Sequence, residues 1–236
     1  MIEKIYTIPI NEAFEHTHQN PEEGCPLCRL HAKFEASTLS FCLGGAMMEP
    51  DVRIEMNRKG FCPDHLQKLA SMKNKLALAL ILESRLDEIR NDFQMPPTSE
   101  KKGLFSPKPS GSDGADALGR ASASCFVCDK IRFTDGRYAS NTAALWGAEE
   151  QFRQTFTGQP FFCVSHAAIL LKHAKHELNP TKYEQFYTSL MDIENKYLTQ
   201  LRENVGRFCV SFDYRNAGKP LGEEKHCIED ALKFLK

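Results

Sequence analysis

The sequence predicts a mainly α-helical protein made of two related helical units, each clamped by a zinc site of three cysteines and one histidine with short turns or knuckles. Three observations favour this fold class. Ligand-type residues recur in the same order in both halves, apolar residues recur at helical spacing, and no stretch shows sustained alternation of apolar and polar residues.

The first observation is a repeat of four ligand-type residues. A Cys-x-x-Cys pair is followed 34 or 35 residues later by a Cys-x-x-His pair, and the second copy follows the first at offsets of 100 or 101 residues. Cysteine and histidine in this pattern are typical of structural zinc sites, which four such ligands close as a tetrahedron. We therefore expect two zinc ions. The first ligand set is Cys25, Cys28, Cys62 and His65, and the second is Cys125, Cys128, Cys163 and His166.

Two alternatives to zinc remain open for these residues. A Cys-x-x-Cys pair is also found as two reduced core thiols or as a redox pair. Iron occupies similar thiolate sites, although a single histidine and widely separated pairs favour zinc.

Proline follows the first cysteine in two of the four pairs, at Cys25-Pro26 and Cys62-Pro63. Proline suits the first position of a helix, where its missing N–H forms no helical hydrogen bond. We expect both pairs to begin helices, where free backbone N–H groups and the helix dipole favour the thiolate form of cysteine.

Apolar residues at spacings of three and four predict the longer helices. One amphipathic helix is expected from His65 to about Phe93. In the second half we expect helices from Ala167 to His176 and from Tyr183 to Val205, separated by Asn179-Pro180. The apolar stripe of the His65–Phe93 helix comprises Leu66, Leu69, Leu76, Leu80, Ile81, Leu86, Ile89 and Phe93.

Composition divides the chain into three parts. Between Pro96 and Gly114, proline, glycine and serine make up 11 of 19 residues, which is typical of a flexible linker because such a segment buries little apolar surface. We assign residues 1–95 to a first zinc-clamped unit and residues 96–122 to the linker. Residues 123–236 form a second unit with a C-terminal extension, and the repeat leaves open whether the two units pack together.

The residues outside the repeat have simpler interpretations. Cys42, in a small apolar segment, is expected to be a buried thiol, and a third site at Cys209 and Cys227 lacks a second pair of suitable spacing. The charged segment from Glu49 to Arg58 is expected to be a solvated loop and helix end. Three histidines lie near the first pair and are alternative ligands that the repeat disfavours: His16, His18 and His31.

The totals exclude several classes of protein. With 30 basic and 31 acidic residues, no global charge favours nucleic acid or a membrane surface. The longest apolar stretch, from Leu76 to Leu82, is too short to cross a bilayer, and the N-terminus lacks a secretory h-region. We expect a cytoplasmic protein.

Several further motifs resemble those of a bacterial family of unknown function, found chiefly in clostridial-type Firmicutes. Outside the linker the resemblance extends along nearly the whole chain. It implies an intracellular bacterial protein with paired Cys/His motifs, and it implies no reaction. The motifs are Ile8-Pro-Ile-Asn-Glu-Ala-Phe14, Cys25-Pro-Leu-Cys28, Gly44-Gly-Ala-Met-Met-Glu-Pro-Asp-Val-Arg53, Gly60-Phe-Cys62 and Phe212-Asp-Tyr-Arg-Asn216.

Three functions fit these features. The first is a non-enzymatic interaction or adaptor protein, stabilised by zinc and binding another protein. It is favoured because the sequence lacks a phosphate-binding loop, a Gly-x-Ser-x-Gly elbow and a His-Glu-x-x-His motif. The second is a thiol redox protein or a zinc-release redox sensor. The third, nucleic-acid binding, is favoured by analogy with zinc knuckles and disfavoured by the balanced charge.

Overall fold

The computed structural model describes residues 2–93, 119, 123–216 and 222–236. Within those residues the protein contains ten α-helices and no strand, which confirms the predicted fold class. The helices are α1 (Lys4–Gln19), α2 (Pro26–Cys42), α3 (Pro50–Lys59), α4 (Pro63–Ser71), α5 (Lys75–Phe93), α6 (Phe126–Ala148), α7 (Glu150–Thr157), α8 (Val164–Glu177), α9 (Pro180–Ser211) and α10 (Cys227–Phe234).

The chain forms two compact units, and the sequence of the second is inserted into that of the first. Unit 1 comprises Met1–Lys33 and Phe133–Lys236, and unit 2 comprises Phe34–Arg132. These bounds differ from the divisions at residues 95 and 123 drawn from composition, because the boundaries fall within helices α2 and α6. Apart from Gly119, the predicted linker lies outside the described residues.

Unit 1 has an aromatic core. Phe14, Phe156, Phe162 and Phe186 are fully buried, and the ring of Phe156 lies 4.9 Å from that of Phe162 and 5.2 Å from that of Phe186. Helix α1 packs on α7, and α9 packs on α7, α8 and α10. Tilted and stacked ring pairs of this kind add specific contacts to the burial of apolar surface.

Unit 2 has a smaller, mostly aliphatic core. Helix α5 packs on α3 and α4, and Met56 and Leu69 are fully buried between them. Cys42 is also fully buried in this core, which confirms the expectation of a buried thiol, and burial raises its pKa to about 12. The segment from Glu49 to Arg58 forms most of α3, with Pro50 at its first position.

The predicted helix from His65 to Phe93 is wrong as a single element. The chain breaks between Ser71 and Lys75 because Asn74 caps a new helix. Its side-chain oxygen accepts the N–H of Ala77 at 3.2 Å, and its amide donates to the carbonyl of Leu43 at 2.7 Å. Asparagine competes for backbone groups in this way and favours helix starts.

The break also changes which face of the second helix is buried. In α5 the core-facing residues are Ala77, Leu78 and Ile81, whereas Leu76 is 72% exposed and Leu86 64% exposed. Both leucines belonged to the predicted apolar stripe. The two helices predicted in the second half are confirmed, as α8 and α9, with longer ends than the periodicity indicated.

We expect Phe156→Ala to lower the free energy of unfolding by about 3–5 kcal/mol, because it leaves a cavity between three other rings. Urea titration followed by circular dichroism measures the loss. The matched control is Phe133→Ala, which removes a ring that is 65% exposed and should change the free energy by less than about 0.5 kcal/mol. Equal losses in the two variants would contradict the aromatic core.

Candidate metal centres

The eight candidate ligands form two clusters. Cluster A comprises Cys25, Cys28, Cys163 and His166, and cluster B comprises Cys62, His65, Cys125 and Cys128. In each cluster one nitrogen or sulfur atom from every residue lies within 4.8 Å of the others. Cluster A lies within unit 1 and cluster B within unit 2.

This grouping corrects the one expected from the sequence. The pairs at Cys25-Cys28 and Cys62-His65 were assigned to one ion, but the structure places them in different clusters. The reason is the 17-residue helix α2, which begins at the first pair. This helix crosses the boundary between the two units, so the first pair belongs to unit 1 whereas Cys62 and His65 belong to unit 2.

All four pairs occupy the same place on a helix. The first cysteine immediately precedes the first helical residue, and the second ligand is the third helical residue of α2, α4, α6 or α8. In a capping box the side chains at these two positions each bond to the backbone N–H of the other residue, so the two side chains lie close together. Each helix start therefore brings two ligand atoms together without any contribution from the second pair. The pairs at Cys25 and Cys62, which were expected to begin helices, do begin helices.

The atoms of cluster A surround a common centre. The Nδ1 atom of His166 lies 3.1 Å from the sulfur of Cys163, 3.4 Å from that of Cys28 and 3.7 Å from that of Cys25. The sulfur atoms of Cys28 and Cys163 are 3.5 Å apart. These distances are too long for a disulfide bond.

Cluster B has the same geometry. The Nδ1 atom of His65 lies 3.1 Å from the sulfur of Cys62 and 3.4 Å from the sulfurs of Cys125 and Cys128. The sulfur atoms of Cys62 and Cys128 are 3.8 Å apart.

In a tetrahedral site with Zn–S of about 2.3 Å and Zn–N of about 2.05 Å, sulfur and nitrogen would be about 3.6 Å apart and two sulfurs about 3.8 Å apart. Both donor sets fit such an ion.

The thiol groups of each cluster differ in their ease of ionisation. Hydrogen bonds with Cys25 and Cys28 lower the pKa of Cys163, whereas burial raises the pKa of Cys25. Burial raises the pKa of Cys128 to about 12. For Cys62, burial opposes ionisation, but hydrogen bonds from the His65 backbone and from neighbouring thiols outweigh it and lower the pKa. Ionisation of all three thiols of a cluster would therefore need a nearby cation, such as a divalent metal ion.

A carboxylate orients the histidine of cluster B. The second ring nitrogen of His65, Nε2, lies 2.9 Å from Glu35, so the nitrogen facing the sulfurs is free to bind a metal. Both oxygens of Glu35 accept from Lys68 at 2.7 Å. Burial opposes ionisation of Glu35, but the hydrogen bonds from Lys68 and His65 outweigh it and lower its pKa.

A carboxylate also lies beside the histidine of cluster A. Asp135 accepts a hydrogen bond from the Nδ1 atom of His31 at 2.9 Å, and His31, Asp135 and His166 have atoms within 4.8 Å of one another. Asp135 and Glu35 each follow a Cys-x-x-Cys pair by seven residues. Each of the helices α2 and α6 therefore supplies a cysteine pair to one cluster and a carboxylate to the other.

Two glycines allow close packing next to the cysteine pairs. Gly24 and Gly60 have φ angles of +81° and +64°, a region that other residues rarely adopt. A Cβ atom on Gly24 would lie 2.7 Å from the ring of Phe161. In unit 2 the carbonyl of Gly60 accepts the N–H of Phe126 at 2.9 Å, which joins the loop before Cys62 to the start of α6.

The remaining candidate residues lie outside both clusters. His31 stands beside His166 without joining the four ligands, and His16 and His18 bond to Glu23 and to the carbonyl of Gly158. Cys209 is exposed and Cys227 is buried. The two carboxylates beside the histidines were missed by the sequence analysis, although their equal spacing from the Cys-x-x-Cys pairs was a usable signal.

Comparison with known proteins identifies a family for the chain and gives no activity. A family of unknown function, DUF6062, matches the chain over residues 1–236. The chain belongs to the DUF6062 family. This confirms the resemblance to a bacterial family of unknown function.

One relative of the chain is the uncharacterized 23.9 kDa protein in the xynA 3' region of Caldicellulosiruptor sp. (strain Rt8B.4). It is 20% identical over 195 residues, which cover 83% of this chain and 85% of the relative. No solved structure matches the chain. Among the described residues, no helix is both long enough and apolar enough to cross a membrane.

Double substitutions distinguish the observed grouping from the one expected from the sequence. Cys62→Ser with Cys125→Ser removes two ligands of cluster B, so one metal ion per chain should remain. Cys25→Ser with Cys62→Ser removes one ligand from each cluster, so none should remain. Mass spectrometry of the metal in purified protein measures both, and the reverse pattern would restore the sequence-based grouping.

We expect Glu35→Ala to weaken metal binding at cluster B by about 10–100-fold, because the substitution removes the group that orients His65. Competition with a chromogenic chelator measures the affinity. The matched control is Glu55→Ala, since Glu55 also pairs with lysines, Lys59 and Lys130, neither of which is a candidate ligand. Equal affinities in the Glu35 and Glu55 variants would mean that the carboxylate does not support the site.

Proposed function

We propose that the protein binds two zinc ions, one in each cluster, and acts as a non-enzymatic interaction protein whose fold the ions stabilise. The observation that carries the proposal is the closure of two sets of three sulfurs and one imidazole nitrogen. Their separations of 3.1 to 3.8 Å match tetrahedral coordination.

The donor sets favour zinc over iron. Each cluster has one histidine, and each is assembled from two pairs that are far apart in the chain. Cys28 and Cys163 are 135 residues apart, and Cys62 and Cys128 are 66 residues apart. Clusters of iron and sulfur are more often held by four thiolates, in short runs of closely spaced cysteines. Zinc accepts mixed sulfur and nitrogen ligands in a tetrahedron without redox chemistry.

Four protein ligands on each ion favour a structural role. A catalytic zinc keeps one position for water or substrate, and three protein ligands complete the site. Here both histidines and all six cysteines are used by the two tetrahedra. A closed site instead contributes its binding energy to folding. All nine cysteines are free, so the metal ions, rather than disulfide bonds, would link distant segments of the chain.

Burial supports the same role. The side chains of Cys25, Cys125 and Cys163 are at most 5% exposed, and His65 and His166 are 6% and 8% exposed. Each zinc would lie at the edge of a hydrophobic core, with most of its ligands shielded from solvent. The protein partner would then bind to a surface away from the metal sites, and the ions would stabilise the fold that presents this surface.

We expect about two zinc ions per chain and no absorption above 350 nm, because zinc has a filled d shell. Replacement by cobalt should produce the visible bands of a tetrahedral thiolate site at both clusters. Removal of the metal with a strong chelator should lower the thermal midpoint, since metal binding and folding are coupled. Protein that folds normally without any metal would overturn the proposal, as would a brown chromophore from iron and sulfur.

One observation favours a second function, a thiol redox protein or a zinc-release redox sensor. Cys28, Cys62 and Cys128 are only half-buried, and Cys28 lines a cleft of about 850 Å³ in unit 1 together with His16, Glu23 and Arg29. A small oxidant could reach these sulfurs. Zinc release under mild peroxide, reversed by a thiol reductant, would favour the sensor, and retained zinc with unmodified cysteines would exclude it.

A further inference from the structure

A cleft of about 850 Å³ in unit 1 has the candidate ligand Cys28 in its lining. Helices α1 and α2 supply most of its walls, and the residues of each helix lie on one face because they recur at spacings of three and four. The cleft has the size of the pockets in which proteins bind small organic molecules. Its lining includes Glu12, Ala13 and His16 on α1 and Cys28, Ala32 and Lys33 on α2.

The rim of the cleft carries charges of both signs in exposed ion pairs. Arg29 contacts Glu23 at 2.7 Å and Lys33 contacts Glu12 at 3.8 Å, and these four side chains are 41% to 72% exposed. Lys233 adds a third cation, which donates to a backbone carbonyl at 3.2 Å. Exposed ion pairs contribute little free energy, so the amino and carboxylate groups of a ligand can replace either partner. The cleft therefore suits a small molecule that carries both kinds of group.

The cleft gives access to one thiol of cluster A. Cys28 is half-buried, whereas Cys25 and Cys163 are 3% and 1% exposed. The sulfur of Cys163 lies 3.5 Å from that of Cys28, and a disulfide bond of about 2.05 Å would need these two atoms to approach by roughly 1.5 Å. A group that forms on Cys28 is therefore within reach of a second, buried thiol.

We propose that the cleft binds a small disulfide with amino and carboxylate groups, as in the disulfides of amino acids and short peptides, and that Cys28 reacts with it. The inference rests on the second function given above, a redox sensor that releases zinc, and it names the oxidant and the reacting pair of thiols. Such a disulfide has an apolar S–S centre between charged ends. The charged rim of the cleft and its apolar lining at Ala13 and Ala32 match this distribution.

The reaction consists of two thiol–disulfide exchanges. The thiolate of Cys28 attacks one sulfur of the bound disulfide, which forms a mixed disulfide and releases one small thiolate. The thiolate of Cys163 then attacks the sulfur of Cys28, which forms an internal disulfide and releases the second small thiolate. The two cysteines lose two electrons, and the small disulfide gains them as two thiolates, which take protons from water. Cluster A then keeps only Cys25 and His166 as donors, which are too few for a closed site.

Treatment of the metal-loaded, full-length protein with cystine tests the proposal. We expect release of one zinc ion per chain, measured with a chromogenic chelator, because only cluster A reacts. Fragmentation of peptides in a mass spectrometer should locate a disulfide between Cys28 and Cys163, and the thiols of cluster B should remain open to alkylation. Equal loss of zinc from both clusters would overturn the proposal, and so would a disulfide between Cys25 and Cys28.

A substitution that fills the cleft tests whether cystine binds there. Ala32 is exposed and lies one helical turn from Cys28, so Ala32→Trp should slow the release of zinc by cystine at least about five-fold through loss of access. The matched control is Ala36→Trp, because Ala36 is also exposed on α2 and is not part of the cleft lining. Equal rates in the two variants would show that the reaction does not use the cleft.

An uncharged disulfide tests the role of the rim. Replacement of Lys33 and Lys233 by alanine should slow the reaction with cystine about three- to five-fold, and should leave the reaction with the disulfide of mercaptoethanol unchanged. Equal losses with the two disulfides would contradict recognition by charge. Two zinc ions per chain before treatment verify that each variant is folded.

Hydrogen peroxide distinguishes failure of this inference from failure of the sensor function. Zinc release by peroxide without release by cystine would overturn the inference and leave the sensor function standing. Zinc that is retained under both reagents, with unmodified cysteines, would overturn both.

Discussion

The start of a helix is the constraint on which both clusters depend. A side chain just before the first helical residue and a side chain at the third helical residue lie close together in any α-helix. The chain uses this geometry four times, at α2, α4, α6 and α8. Each pair of ligand atoms is therefore arranged by its own backbone. The tertiary structure of each unit then brings two such helix starts together, which completes the set of four ligand atoms.

The carboxylates extend this arrangement along two of the same helices. Seven residues, about two turns, separate each Cys-x-x-Cys pair from Glu35 or Asp135. Helix α2 thus serves cluster A with its sulfurs and cluster B with Glu35, which contacts His65 at 2.9 Å.

Much of the fold follows from local sequence patterns, and the rest depends on contacts between distant residues. The residue types and spacing indicated the eight candidate ligands, because a helix start needs only four adjacent residues. The local pattern could not predict that Cys62 and Cys125 belong to one cluster. A sequence repeat is equally compatible with a metal site built from one copy of the repeat and with a site that takes one pair from each copy. The break at Asn74 was missed because the apolar periodicity continues through it, whereas the cap depends on a carbonyl of Leu43 that is distant in sequence.

The nested order of the four pairs has a consequence for synthesis of the chain. The ribosome makes the protein from its N-terminus, so the cysteines of the first pair, Cys25 and Cys28, emerge earliest. Their partners at Cys163 and His166 follow only after all four ligands of cluster B have been made. Cluster B is complete while cluster A still has half of its donors. During that interval the thiols of Cys25 and Cys28 are present on the nascent chain without the other two ligands of cluster A. Translation therefore makes the donor set of cluster B available before that of cluster A.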